Sequence, residues 1–332
     1  MLRIDGVLMV QEDWPPVTAK DLDWVFEQVT TQEQRLTFLR ELELDFAYSV
    51  PGLARFRVNV LQQRGTMSLA FRVVPFGVPS IDELELPQIC KELILKPRGL
   101  ILVTGPTGSG KSSTMAAMIN HLNENDRRNI ITIEDPIEFL YRDKKCIIVQ
   151  RDLGDDTKSF ATALIHALRH DPDAIVVGEM RDLDTISTAI MAAETGHLVL
   201  GTLHTTDASQ TVDRIIDIFP HGQRRQVRLQ LSQVIEAILS QALLPRIGGG
   251  RIAAFEIMIA STAVRNLIRE QKIFEIPSIM QLSSKDGMQT LDQAIAELVR
   301  RNIVTLEEAM KESSNPERLQ KSLQFQSEAT TF

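Results

Sequence analysis

The 332-residue chain has two cysteines, 5% aromatic residues and fewer basic than acidic side chains, with Lys+Arg 36 against Asp+Glu 44. Cys90 and Cys146 lie in unrelated contexts with no C-x-x-C spacing, which excludes a zinc cluster or a disulfide framework and suits a reducing compartment. Both read as small buried apolar residues. No apolar run approaches the roughly 20 residues that span a bilayer, and the opening Met1-Leu2-Arg3-Ile4-Asp5-Gly6 is not a signal peptide, so a cytoplasmic protein is expected. The net charge of -8 repels polyanions. With so few aromatics to stack bases, no nucleic-acid partner is expected. An N-K-x-D guanine-reading segment is also missing, which argues against a GTPase. There are no internal repeats and no low-complexity segment.

What the chain does have is Gly105-Pro106-Thr107-Gly108-Ser109-Gly110-Lys111-Ser112, a fit to the phosphate-binding pattern G-x-x-x-x-G-K-[ST]. The apolar run Gly99-Leu100-Ile101-Leu102-Val103-Thr104 before it reads as a buried parallel strand, and the segment after it, 113–122, as a helix. A chance glycine-rich turn explains the glycines but not a Lys-Ser pair opening a helix. The chemistry predicts ATP held by Thr107, Gly108, Ser109, Gly110, Lys111, Ser112 and Ser113. In it, backbone N–H groups curl around phosphate oxygens, Lys111 reaches the β- and γ-phosphates, and the Ser112 hydroxyl ligates Mg²⁺.

Three more strand ends carry polar residues, and ligands of open α/β sheets sit at the carboxyl ends of strands. Ile130-Ile131-Thr132-Ile133 leads into Glu134-Asp135-Pro136-Ile137-Glu138, Ala174-Ile175-Val176-Val177 into Gly178-Glu179-Met180-Arg181-Asp182, and His197-Leu198-Val199-Leu200-Gly201-Thr202-Leu203 into His204-Thr205-Thr206. One carboxylate after a strand is usually a helix cap; three polar ends downstream of a phosphate loop point to a shared site. Many nucleotide hydrolases place a magnesium-binding Asp where this chain has Gly178-Glu179. Glu179 is therefore expected to meet the metal through water, Glu134 to orient the attacking water as base, and His204 to sense the γ-phosphate, with His197 structural.

Residues 1–74 read as a small α+β domain, with a hairpin around Asp5-Gly6, helices from Thr18 and over 32–42, and strands over 54–60 and 68–74. Alternation along Ala54-Arg55-Phe56-Arg57-Val58-Asn59-Val60 puts Arg55, Arg57 and Asn59 on one strand face, and Arg72 lies on the next strand. Pro75, Pro79, Pro87 and Pro97 mark residues 75–98 as a linker with one short helix over 88–95. From residue 99 to 332 strands alternate with helices, as in a mainly parallel sheet, and beyond Asp207 the pattern reads as mostly helical, with one long helix over 226–244. Along Thr262-Ala263-Val264-Arg265-Asn266-Leu267-Ile268-Arg269-Glu270, helical spacing buries Val264, Leu267 and Ile268 and exposes Arg265 and Arg269. Another helix is expected near 290–300, and a frayed polar tail over 313–332.

These residues together resemble the PilT family of type IV pilus retraction ATPases, within the wider secretion ATPase superfamily. The likeness rests on Gly105 to Ser112, the acidic Thr132-to-Glu138 box, Gly178-Glu179-Met180-Arg181-Asp182, the Gly196-to-Thr206 histidine box and, most specifically, Ala263 to Glu270. It implies an α/β fold: a RecA-like P-loop NTPase core with a smaller N-terminal PAS-like α+β domain and C-terminal helices. It also implies a homo-hexamer, with ATP and Mg²⁺ held between the domains and phosphates met by Arg55, Arg57 or Arg72. Such a ring works at the cytosolic face of the bacterial inner membrane against a platform protein, and acts on the pilin fibre indirectly. The family's first helix and first strand would precede Met1, Val264 replaces a common isoleucine, and the zinc-binding cysteines of the extension branch are missing. Alternative readings are a related secretion or DNA-uptake motor, a RecA-like nucleic-acid translocase, and a nucleotide-dependent scaffold with negligible turnover.

Overall fold

The computed structural model describes residues 1–4, 7–51, 53–74, 77–317, 319, 320 and 323. The chain divides into two compact units, Met1–Pro75 and Phe76–Phe332. In the first, β1 (Leu2–Ile4) pairs antiparallel with β2 (Val7–Met9), and the Asp5-Gly6 turn expected between them lies outside the described residues. Helices α1 (Ala19–Val29) and α2 (Gln32–Glu41) each open on a capping box, Thr18 with Asp21 and Thr31 with Gln34, which satisfies amide groups that the first turn leaves without partners. An antiparallel meander follows: β3 (Glu43–Val50), β4 (Ala54–Gln63) and β5 (Thr66–Val74). Phe26, Phe38, Leu44, Phe46, Val58 and Val60 form the core of this unit. Strand β3 escaped the sequence reading because its buried Leu44 and Phe46 directly follow the helix that the reading carried to residue 42.

The second unit is built on a seven-stranded sheet. Helix α3 (Ile89–Ile94) leads to β6 (Gly99–Thr104), α4 (Lys111–Asn125), β7 (Asn129–Glu134), β8 (Ile147–Asp152) and α5 (Phe160–Ala167). Next come β9 (Ala174–Val177), α6 (Leu183–Glu194), β10 (Leu198–Leu203), α7 (Ala208–Asp217), α8 (His221–Val234), β11 (Ile235–Pro245) and β12 (Arg251–Ile259). Strand order is β12-β11-β6-β10-β9-β7-β8, parallel throughout except for the β11–β12 pair. Every residue of β6, β9 and β10 is buried, as expected for strands covered on both faces. The proline-rich segment before β6 belongs to this unit, with Ile81, Leu86, Cys90, Leu93 and Ile94 buried in its core.

The long helix expected over 226–244 is two elements. Helix α8 stops at Val234, and Ile235 to Pro245 run as β11 between β6 and β12. A strand covered on both faces shows no alternation, so its continuous apolar run imitates a buried helix. After β12 come helices α9 (Thr262–Arg269), α10 (Ile276–Leu282), α11 (Leu291–Arg300) and α12 (Leu306–Glu312). The described part of the tail is docked and not frayed. Asp292 accepts from the Ser313 and Ser314 hydroxyls at 2.8 Å each, and Leu319 is buried beside Ile295 and Leu298.

Helix α9 also departs from expectation. Val264 and Ile268 are fully buried, Leu267 is half-buried and Arg269 is exposed, but Arg265 is fastened. Its guanidinium donates to Ala260 O at 3.0 Å, Ser232 O at 3.0 Å and Gln233 O at 2.8 Å, and pairs with Glu236 at 2.7 Å. Ser232 and Gln233 lie in the last turn of α8, whose carbonyls have no partner within the helix, so a cation is held where the helix end is negative. Arg265 and Arg269 are therefore not a matched exposed pair.

Candidate active site

Because β6, β7, β9 and β10 are parallel, their carboxyl ends share one edge of the sheet, and the four polar strand ends meet there around a cleft of about 660 Å³. Thr107, Gly108, Ser109, Gly110, Lys111, Ser112 and Ser113 line it with Glu134, Glu179 and His204. The loop between β6 and α4 is shaped by close approach. Gly105 has φ +141, and a Cβ there would lie 2.4 Å from Gln241 O and 2.7 Å from Ser109 Oγ. Gln241, from β11, braces the loop by donating to Ser109 O at 2.5 Å. The sequence reading missed Gln241 because it took this segment as helix. Lys111 Nζ is folded back onto Gly105 O at 2.7 Å and Pro106 O at 3.0 Å, and its burial lowers its pKa. Ser112, at the first turn of α4, is exposed to the cleft.

Lys111 also lies 3.4 Å from His204 Nδ1, while His204 Nε2 is 3.0 Å from Glu179. An ammonium has only donors, so Nδ1 accepts and Nε2–H donates to Glu179. Burial pushes the Glu179 carboxyl upward, but the hydrogen bond and charge of Arg181, with the hydrogen bond from His204, outweigh burial and hold it below the ordinary range. Glu134 goes the other way. Its burial raises its pKa, only partly offset by hydrogen bonds from Thr132 Oγ1 at 2.6 Å and Gln150 Nε2 at 3.2 Å, with Asp152 adding repulsion. Two carboxylates facing one cleft are thus driven apart in proton affinity, the arrangement that separates a base from a permanent anion. Gly178 makes their approach possible: a Cβ there would lie 3.0 Å from Ile133 O and 3.2 Å from Glu134 Cα. His197 points away from this chemistry, its Nδ1 lying 2.9 Å from Ala192 O at the end of α6.

The cleft has a second, apolar lining that sequence reasoning did not reach, from Leu84, Leu86, Met115, Ile119, Leu243 and Ile252, with Arg251 beside them. These residues come from separate parts of the chain and share no motif. Three arginines of the first unit, Arg55, Arg57 and Arg72, share one sheet face: Arg57 is the direct cross-strand partner of Arg72, and Arg55 faces Ser49, donating to its hydroxyl at 3.2 Å. Like charges directly opposite are destabilising in a sheet, so the Arg57–Arg72 pair costs stability where it stands.

A lysine-bearing phosphate loop opening a helix at the carboxyl edge of a parallel sheet, faced by two differently tuned glutamates, defines a P-loop nucleotide hydrolase. Residues 53–249 match the family model described as Type II/IV secretion system protein. The chain is 47% identical over 317 residues to the type IV pilus retraction ATPase PilT of Pseudomonas aeruginosa, covering 96% of this chain and 92% of that one. It is 49% identical over 318 residues to a twitching motility protein of Neisseria gonorrhoeae, covering 96% and 85%. The crystal structure of the pilus retraction motor PilT with bound ADP superposes with a TM-score of 0.90 at 48% identity, covering 96% of this chain and 91% of that one. The chain belongs to the PilT family of type IV pilus retraction ATPases.

Proposed function

We propose that this chain hydrolyses ATP in a homo-hexameric motor that powers retraction of a type IV pilus. The observation that carries the chemistry is the opposed tuning of Glu134 and Glu179 across one phosphate loop. Glu134, the more basic carboxylate, accepts the proton of the attacking water. Lys111 leaves the loop carbonyls for the phosphates, which frees His204 Nδ1 to take up a proton; the imidazolium then donates from Nδ1 to the γ-phosphate while Nε2–H keeps its hold on Glu179. Thr107 to Ser113 cradle the phosphates with backbone amides, and the apolar lining takes the base.

Magnesium fits the donor set, since the Ser112 hydroxyl and the ionised Glu179 are both hard oxygen donors on the cleft wall. Among the described residues no group of three His, Cys, Asp or Glu could hold a cation, so the phosphates and water would complete its shell. The ion would neutralise charge on the β- and γ-phosphates. Arg55, Arg57 and Arg72 supply further positive charge, one or more of them meeting phosphate in the assembled ring.

Retraction is supported by the relatives' names together with the Ala263-to-Glu270 helix. Among the described residues no helix is long and apolar enough to cross a membrane. We place the ring at the cytosolic face of the inner membrane, against a platform protein, with the pilin fibre reached indirectly. Deleting the gene and restoring it as wild type or Lys111→Ala tests the whole reading. Excess surface pili without surface motility are expected in the null strain and in the Lys111→Ala strain. Bald cells would instead assign the chain to pilus extension, and a purified Lys111→Ala ring with wild-type phosphate release would refute the site.

A further inference from the structure

Strand β8, at the edge of the sheet, pairs with β7 so that Gln150 stands directly beside Thr132, and Glu134 lies two residues further along the same face. The Gln150 amide has three partners. Its Nε2 donates to Glu134 Oε1 at 3.2 Å and to Phe139 O at 2.8 Å, and its Oε1 accepts the Tyr141 N–H at 3.1 Å. Rotating the amide by half a turn would set its oxygen against two acceptors and its NH₂ against a donor, so the neighbours fix one orientation. Thr132 donates to the same Glu134 oxygen at 2.6 Å. Both side-chain donors grip Oε1, which fixes how the carboxylate is turned, and the Glu138 backbone N–H donates to the carboxylate as well.

We infer that Gln150 is a positioning residue for ATP hydrolysis, aiming the Glu134 carboxylate and tying it to the Phe139–Tyr141 segment of the acidic loop. It does not line the nucleotide cleft, so it acts through Glu134. This inference rests on the assignment of Glu134 as base. The charged or titratable groups facing that carboxylate are Asp152 on β8 and Glu138 and Tyr141 on the loop; of these Glu138 donates through its backbone N–H, and no side chain among them replaces the amide donor. An edge strand outside every phosphate-binding motif thereby becomes part of the catalytic apparatus.

The test uses the purified full chain with Mg²⁺ and ATP, following phosphate release across pH, in Gln150→Leu, Gln150→Glu, Glu134→Gln and the Glu134→Gln/Gln150→Leu double variant. With one of its two side-chain donors gone, kcat should fall about tenfold or more while KM for ATP stays within about twofold. A carboxylate that loses a donor becomes harder to ionise, so the acid limb of the kcat profile should move to higher pH in Gln150→Leu. In Gln150→Glu, which keeps the acceptor for Tyr141 N–H but brings a second carboxylate, it should move further. Adding Gln150→Leu to Glu134→Gln should cost nothing more, because both act on one group. Where Gln150→Leu does not assemble, the isosteric Gln150→Glu carries the same comparison. Unchanged kcat and acid limb, or a full additional loss in the double variant, would overturn the inference while leaving Glu134 as base. Wild-type turnover in Glu134→Gln would overturn the base assignment itself.

Discussion

Replacing Arg265 by Ala removes a guanidinium that holds three backbone carbonyls and Glu236, so its cost falls on the fold before it reaches any surface of α9. Hydrogen bonds to charged groups contribute about 1.5–3 kcal/mol each when sheltered. Here the two side chains keep 25% and 19% of their exposure, water can reach the freed carbonyls, and Glu236 retains Lys96 at 2.8 Å. The four contacts also share one side chain and do not add, which brings the expected loss to about 2–4 kcal/mol. At about 3 °C per kcal/mol for a domain of this size, the melting temperature of the nucleotide-binding unit should drop by about 6–12 °C. Arg265→Lys should fall between, since a single ammonium cannot span the fork. Arg269→Ala, at an exposed position, should stay within about 0.5 kcal/mol of wild type. Calorimetry of the three variants is the assay. A melting point for Arg265→Ala within about 1 °C of wild type would refute the clamp. Arg269→Ala, which leaves the clamp intact, tests whether the exposed side of α9 couples hydrolysis to the pilus machine: it should fold, hydrolyse ATP and fail to retract pili, and normal retraction would refute that coupling.

Glu134→Gln should bind ATP normally and lose turnover on the order of 10²-fold or more, whereas Glu179→Gln should shift the magnesium response; the reverse pattern in steady-state kinetics would exchange the two roles. Since burial raises the Glu134 pKa, wild-type kcat should fall with decreasing pH from a midpoint above the ordinary glutamate value of about 4.3. Glu256, half-buried on β12 and accepting the Ala208 N–H at 2.8 Å, is pushed up to about 7 mainly by removal from water. Its folded pKa exceeds its unfolded one, so the stability linked to its protonation is present at low pH and lost as pH rises through about 7. Glu256→Gln should therefore gain more in melting temperature over wild type at pH 8 than at pH 5.5; an equal gain at both would discount the titration. In mixed rings, Arg57→Ala subunits combined with Lys111→Ala subunits should recover part of the ATPase rate if an arginine serves a site on another chain, and verified mixing without recovery would count against sharing.

The phosphate loop and the three polar strand ends were legible because each is a local signal, a short apolar run followed by residues with one dominant use. Their convergence followed from the parallel sheet, which alternation of strands and helices announced. Strand β11 was not legible, because burial on both faces erases the period that distinguishes strand from helix, and Gln241 was lost with it. Arg265 was misread for a different reason: helical spacing places it away from Val264 and Ile268 but says nothing of a neighbouring helix end waiting there. Gln150 and the apolar lining depend on register and on chain crossings that no window of sequence contains.

Near its start strand β11 carries Glu236, which Arg265 of α9 grips, and five residues later Gln241, which props the phosphate loop at Ser109. The two points are about 17 Å apart along an extended chain rising about 3.3 Å per residue. Between them the strand is bonded to β6 on one side and to β12 on the other. The clamp on α9 and the brace under the phosphate loop thus hang on the same stretch of paired backbone, with no loop between them.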